Sequence, residues 1–192
     1  ELISYAYIIL YMSFESTKVI DLGSCAFRQP RADSHCKFIH GYRLKAKFWF
    51  TAETLDENHW VVDFGDLKEL KKILEKQFDH TTCIAFDDPH KLVFETLHEQ
   101  GVVDLRIMPR GTGIERIAEW CYKAANNHVI ILTEGRCVCS KVEVWEHENN
   151  SAICTGVVDT IEEDMEQLLL EDITTNTSSE EKSTWDLGTK WI

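Results

Sequence analysis

FRQPRADSHCKFIHGYRLKAK, Phe27 to Lys47, is the stretch whose reading decides the fold. It brings His35, Cys36, His40 and Tyr42 within eight positions, among six basic residues: Arg28, Arg31, Lys37, Arg43, Lys45 and Lys47. From Gly41 the apolar residues alternate. Tyr42, Leu44, Ala46, Phe48 and Phe50 share one face of a strand, and Arg43, Lys45 and Lys47 share the other. The same period of two makes His40 and Tyr42 point one way, with Gly41 between them allowing a backbone or ligand to come close. A thiol four residues before a histidine, at the start of a strand, suits a nucleophile or a metal ligand. It equally suits a buried cysteine and a satisfied histidine.

The surrounding chain narrows the class. Its 192 residues suit one domain with a real core. No apolar run is long enough to span a bilayer, so no membrane partner is expected. The first eleven residues are apolar but lack the features of a signal peptide. Met12 followed by polar residues reads as a natural start, so residues 1–11 are expected to be an upstream, non-native segment, or else an extra edge strand. Seven cysteines without framework spacing suggest free thiols and a cytoplasmic location. The formal net charge is -13, but residues 157–192 carry ten Asp or Glu against two Lys, so -8 of it lies there. Residues 158–192 are expected to be an acidic disordered tail, leaving residues 12–157 as the domain. No clustered basic face marks a nucleic-acid partner.

Periodicity predicts strands over residues 17–27 and 41–52 joined by a polar, functional loop. A helix follows with Leu67, Leu70, Ile73, Leu74 and Phe78 inward, ending near Asp79 and His80. A short helix over 91–100, stopped by Gly101, and a short strand over 104–108 are possible readings of a stretch with weak signal. A second main helix is expected over 113–125, then strands at 129–132, 138–145 and 152–157. The order β-β-α-α-β-β implies an α+β layer: a four-stranded antiparallel sheet with two helices on one face and edges open to other subunits.

CKFIHGY, Cys36 to Tyr42, resembles the C-x-x-x-H-G-H signature of the 6-pyruvoyl- and 6-carboxytetrahydropterin synthase family. WVVDFGDLK at 60–68, FDH at 78–80, GIERIAEW at 113–120 and VEVWE at 142–146 resemble further family motifs, in the family's order. The resemblance implies the tunnelling fold (T-fold), whose subunit sheets join into a β-barrel, as a homo-oligomer (a hexamer) with active sites between subunits. It implies a lyase acting on 7,8-dihydroneopterin triphosphate, a pterin triphosphate. The product would be 6-carboxytetrahydropterin, on the route to queuosine and other 7-deazapurines, or alternatively 6-pyruvoyltetrahydropterin. Cys36 would abstract a proton, Asp79 would orient His80 as the partner acid/base, and Glu146 would anchor the pterin, with Glu115 a second substrate contact.

The resemblance also implies zinc held by three histidines. Only His40 is in register with them. Tyr42 replaces the last, and Cys25, Ala26, Phe27 and Arg28 stand where the first would be. An ungapped count puts Cys25 at the missing position, and His35 lies nearby. The expected metal set is therefore His40 and His35, with Cys25 as the alternative donor, and a non-catalytic pterin or purine binder with a degenerate zinc site is the competing reading.

Overall fold

A computed structural model describes residues 12–156 of the chain. The expected segment 1–11 and the expected tail 158–192 lie outside the described residues. Strands β1 (Phe14–Phe27) and β2 (His40–Ala52) are followed by α1 (Lys68–Phe78), β3 (Thr81–Ala85), α2 (Lys91–Glu99), β4 (Leu105–Met108), α3 (Ile114–Leu132), β5 (Cys137–His147) and β6 (Asn150–Thr155). The strands form one sheet in the order β4-β3-β1-β2-β5-β6, parallel at β1·β3 and β3·β4 and antiparallel elsewhere. The α+β class holds, but among the described residues the sheet has six strands and is mixed, and there are three helices.

β2 is central and behaves as its alternation predicts. Leu44, Ala46, Phe48 and Phe50 are fully buried and pack with Leu70, Leu74 and Phe78 of α1 and with Ile117, Cys121 and Ala125 of α3. On the opposite face Arg43 is bound to Asp21, and the ammonium groups of Lys47 and Lys141 lie 4.5 and 3.9 Å from the centre of the Trp49 ring. β1 alternates differently at its two ends. Ile20 and Leu22 are buried, and then Cys25 and Phe27, so the inward parity changes between Leu22 and Cys25. A β-bulge causes this: Asp21 pairs with Lys45 and Gly23 with Leu44, leaving Leu22 as the extra residue.

Three departures from the expected elements have physical reasons. β3, TTCIA, is buried at every position, and a short strand covered on both faces offers no alternation to read. Val129 to Leu132, expected as a strand, continues α3. Val129 is fully buried on that helix, and the Asn126 side chain accepts a hydrogen bond from the Cys139 N–H of β5 at 3.0 Å, so packing overrides β-branched propensity. Ile73, expected in the core, is 43% exposed because Leu70, Leu74 and Phe78 already fill the buried stripe of α1.

Burial also makes the core thiols weak acids. Burial pushes the Cys137 thiol up to about 11 and the Cys139 thiol up to about 12, and it raises Cys121 well above its ordinary value of 9.0. Because these values are raised in the folded state, the stability they supply is complete below about pH 9 and is lost as pH rises through about 11 to 12. Urea unfolding midpoints measured on the alkaline side should therefore fall once pH passes about 9, and less so in Cys139→Ala. A midpoint unchanged across that window would show that the thiols are not held protonated.

Candidate active site

The antiparallel register sets one end of the site. Phe27 of β1 pairs with His40 of β2, and Cys25 pairs with Tyr42. Ring centres lie 4.8 Å apart for Phe27 and His40, 6.1 Å for Phe27 and Tyr42, and 5.8 Å for His40 and Tyr42. Gly41 is needed here, since a Cβ on it would lie 2.7 Å from the Cys25 carbonyl oxygen. The backbone that approaches it is β1. His40 Nδ1 is 2.8 Å from the Phe38 carbonyl oxygen, which can only accept, so Nδ1 carries the proton and Nε2 is the free nitrogen. Half-buried Glu146 follows Val142 and Val144 of β5, which share the face of Leu44, and stands at the irregularity that ends this strand. A register irregularity between Trp145 and His147 brings the His147 ring 5.9 Å from Tyr42.

The loop between β1 and β2 presents Cys36. It sits half-buried in a 3-10 turn, His35–Lys37, capped by Ser34. The Gln29 N–H donates to the Cys36 carbonyl oxygen at 2.9 Å, closing the loop. Arg28 reaches the buried Asp88 carboxylate at 3.2 Å, Arg31 pairs with Asp87, and the Thr112 hydroxyl donates to the Arg28 carbonyl. Those contacts hold the loop against the segments before α2 and α3. Glu115, exposed in the first turn of α3, meets it there. Glu115 Oε2 and Gln29 Nε2 lie 3.1 and 3.4 Å from where a Cβ on Gly113 would stand.

Asp79 and His80 form a dyad beside the β1 bulge. Asp79 Oδ1 is 2.9 Å from His80 Nδ1 and accepts the Ser24 N–H at 3.1 Å, while the His80 N–H donates to the Ser24 carbonyl at 2.8 Å. His80 has φ 57°, a left-handed conformation uncommon outside glycine, and its side chain is 85% exposed. Asp79 and His80 are thus in hydrogen-bond contact. Among the described residues no hydrogen bond or ion pair joins this dyad to Cys36.

The expected metal donors are not brought together. His35 is exposed on the 3-10 turn, and Cys25 turns into the core with Sγ 3.5 Å from Cys83 Sγ and 3.7 Å from Thr81 Oγ1. Among the described residues no three His, Cys, Asp or Glu side chains converge to hold an ion. At the corner itself the chain presents one imidazole, one phenol and one phenyl ring, a donor set that does not fit zinc. Sequence reasoning missed Phe27, His147, Gln29 and Gly23. Only Phe27 carried a signal, as one of the four residues standing where the first histidine would be.

The model of the family described as 6-pyruvoyl tetrahydropterin synthase matches residues 21–157. The chain belongs to the 6-pyruvoyl tetrahydropterin synthase family. It is 37% identical over 54 residues to a 6-carboxy-5,6,7,8-tetrahydropterin synthase of Rickettsia conorii, a match covering 28% of this chain and 39% of that relative. Its fold is similar to that of an uncharacterized protein from Wolinella succinogenes (TM-score 0.64, 17% identity), over 76% of this chain and 99% of that one. A 6-pyruvoyltetrahydropterin synthase from Plasmodium vivax is similar with a TM-score of 0.55 and 15% identity, over the same 76% and 99%. At such identities the solved structures speak for the fold alone.

In this member of the tetrahydropterin synthase family, Gly23 is what lets the dyad dock. Its φ is +86°, and a Cβ there would lie 2.0 Å from Asp79 Oδ1 and 2.5 Å from Asp79 Cβ. Gly23→Ala should cost at least the 1–2 kcal/mol, roughly, of a left-handed residue with a side chain. Part of the cost should vanish in an Asp79→Gly background, giving a coupling of about 0.5–3 kcal/mol in a double-mutant cycle followed by urea unfolding. Additive costs would mean that Asp79 does not occupy the space that glycine leaves.

Proposed function

We propose that the chain is a 6-carboxytetrahydropterin synthase-like lyase, converting 7,8-dihydroneopterin triphosphate and water to 6-carboxytetrahydropterin, acetaldehyde and triphosphate, on the route to queuosine and other 7-deazapurines. The observation that carries the reading is the Asp79–His80 dyad, hydrogen-bonded at 2.9 Å and exposed, in a family member that also presents Cys36 on a braced loop. The curated relatives matched over part of their length bear the carboxy name, which favours the carboxy product. Cys36 takes a proton from the substrate side chain. His80, its Nδ1 held by Asp79, leaves Nε2 to move a proton on the opposite side. Glu146 accepts two hydrogen bonds from the 2-amino group and ring N–H of the pterin, and Glu115 gives a second contact at the mouth of the loop.

Among the described residues no contact joins the dyad to Cys36; in the proposed arrangement a partner subunit supplies the missing half, and the protein works as a homo-oligomer, a hexamer. Strands β4 and β6 are the sheet's edges through which subunits would pair. All seven cysteines are free thiols, which supports a reducing, cytoplasmic setting. Among the described residues no helix is long and apolar enough to cross a membrane. A second reading, a pterin or purine binder without turnover, is favoured by one observation: Phe27 and Tyr42 stand beside His40 where metal donors are expected.

Incubation with 7,8-dihydroneopterin triphosphate and mass spectrometry of the products tests the proposal. Formation of 6-carboxytetrahydropterin, lost in Cys36→Ala by about 10²–10⁴-fold while pterin binding persists, is the expected result. A pyruvoyl product would support the pyruvoyl branch, and pterin binding without any product would support the binder. Glu146→Gln replaces an acceptor by a donor facing the ligand's own donors, and should weaken pterin binding by about 1–3 kcal/mol. Unchanged affinity would place the anchor elsewhere. Sedimentation should show one species several times the 22.2 kDa chain mass, and a stable monomer would contradict a shared site.

A further inference from the structure

The corner of Phe27, His40 and Tyr42 has the spacing of a metal site and the chemistry of something else. Three imidazoles on one tetrahedral zinc, each donor at about 2.1 Å, put their ring centres about 5 Å from one another. The three rings here are 4.8, 5.8 and 6.1 Å apart. Cross-strand pairing of Phe27 with His40, and the two-residue step from His40 to Tyr42, aim all three to one side of the β1–β2 ladder. His40 Nε2, left free by the Nδ1 contact to the Phe38 carbonyl, is also the nitrogen a ligand would present. Geometry therefore marks this corner, and not the His40–His35–Cys25 set, as the place for the ion. It holds one donor out of three.

Among the described residues no neighbour makes up the deficit. Phe27 is fully buried and has no donor atom, and a neutral phenol is a poor zinc ligand. His147 borders Tyr42, but its Nδ1 accepts the Asn149 N–H at 3.2 Å and its Nε2 lies 3.1 Å from Asn150 Nδ2. With Nδ1 accepting, the ring proton sits on Nε2, so this imidazole offers no lone pair to an ion. The Cys25 thiol faces Cys83 and Thr81.

We infer that this corner is a metal-free subsite in which His40 and Tyr42, backed by the buried Phe27 ring, meet the hydroxylated side chain of the ligand through hydrogen bonds rather than through a metal ion. The inference deepens the pterin reading and rests on it for the ligand class. Its metal half stands on the donor set alone. His40 Nε2 accepts a hydroxyl proton, the Tyr42 hydroxyl donates or accepts, and the Phe27 ring closes the floor. The substrate oxygens then lack the electrophilic assistance a metal would give, so any turnover depends on the chain's own proton donors.

The full chain, stripped with a chelator and titrated with Co2+, reads the metal directly without any assay of turnover. The native chain should show no visible d–d absorption that His40→Ala removes, and zinc added in one equivalent should pass away on gel filtration. Phe27→His with Tyr42→His should gain stoichiometric tetrahedral cobalt absorption, abolished when His40→Ala is added. If the buried Phe27→His change prevents folding by circular dichroism, Tyr42→His alone, at a half-buried position, should still bind cobalt more tightly than the native chain through two imidazoles. Native cobalt or zinc binding that depends on His40 would overturn the inference, as would a folded double variant, or a folded Tyr42→His, that gains nothing. A metal-free protein that fails to turn over or to bind pterins would count against the functional reading and leave the metal result standing.

Discussion

One inserted residue governs this molecule. The bulge between Asp21 and Gly23 resets the parity of β1, so that Ile20 and Leu22 face the helices on one side of it and Cys25 and Phe27 on the other. Without the insertion, period-two alternation would turn the fully buried Phe27 ring to the outer face, forfeiting about 1.5–3 kcal/mol for that side chain alone. It would also separate Phe27 from His40. The same bulge opens the space over Gly23 into which the Asp79 carboxylate settles, tied to the Ser24 N–H. The aromatic corner and the Asp79–His80 pair are thus two consequences of one backbone irregularity.

The sheet divides its labour by face. Toward the helices it is almost wholly apolar, and the side chains that end its strands, Tyr42, Glu146 and His40, are only half-buried. On the outer face the basic row is engaged locally: Arg43 by Asp21, and Lys47 and Lys141 by the Trp49 ring. The Arg43 guanidinium beside Asp21 lowers the Asp21 carboxyl below its ordinary value. Charge repulsion along β2 is thereby relieved within the sheet.

What the sequence made legible follows from periodicity and from short motifs. β2 and α1 could be read residue by residue because each has one wet and one dry face, with Ile73 as the single misplaced position. Cys36, Asp79, His80, Glu115 and Glu146 were singled out through motif order, and Asp79 and His80 lie in hydrogen-bond contact. β3 was hidden by its complete burial, and the end of α3 by a β-branched run whose helical state is decided by packing on β5. The metal set failed for a different reason. An ungapped count from Cys36 pointed to Cys25, whereas strand register, invisible in a count, seats Phe27 opposite His40.

The central claim, that a pterin is held where the ends of β2 and β5 meet, is tested most directly by a crystal structure with a reduced pterin bound. The account predicts the pyrimidine edge of the ring against the Glu146 carboxylate and its side chain directed to His40 and Tyr42. A ring found elsewhere, such as the cleft lined by Phe14, Leu55, Trp60 and Val62 at the far end of β1, would contradict it.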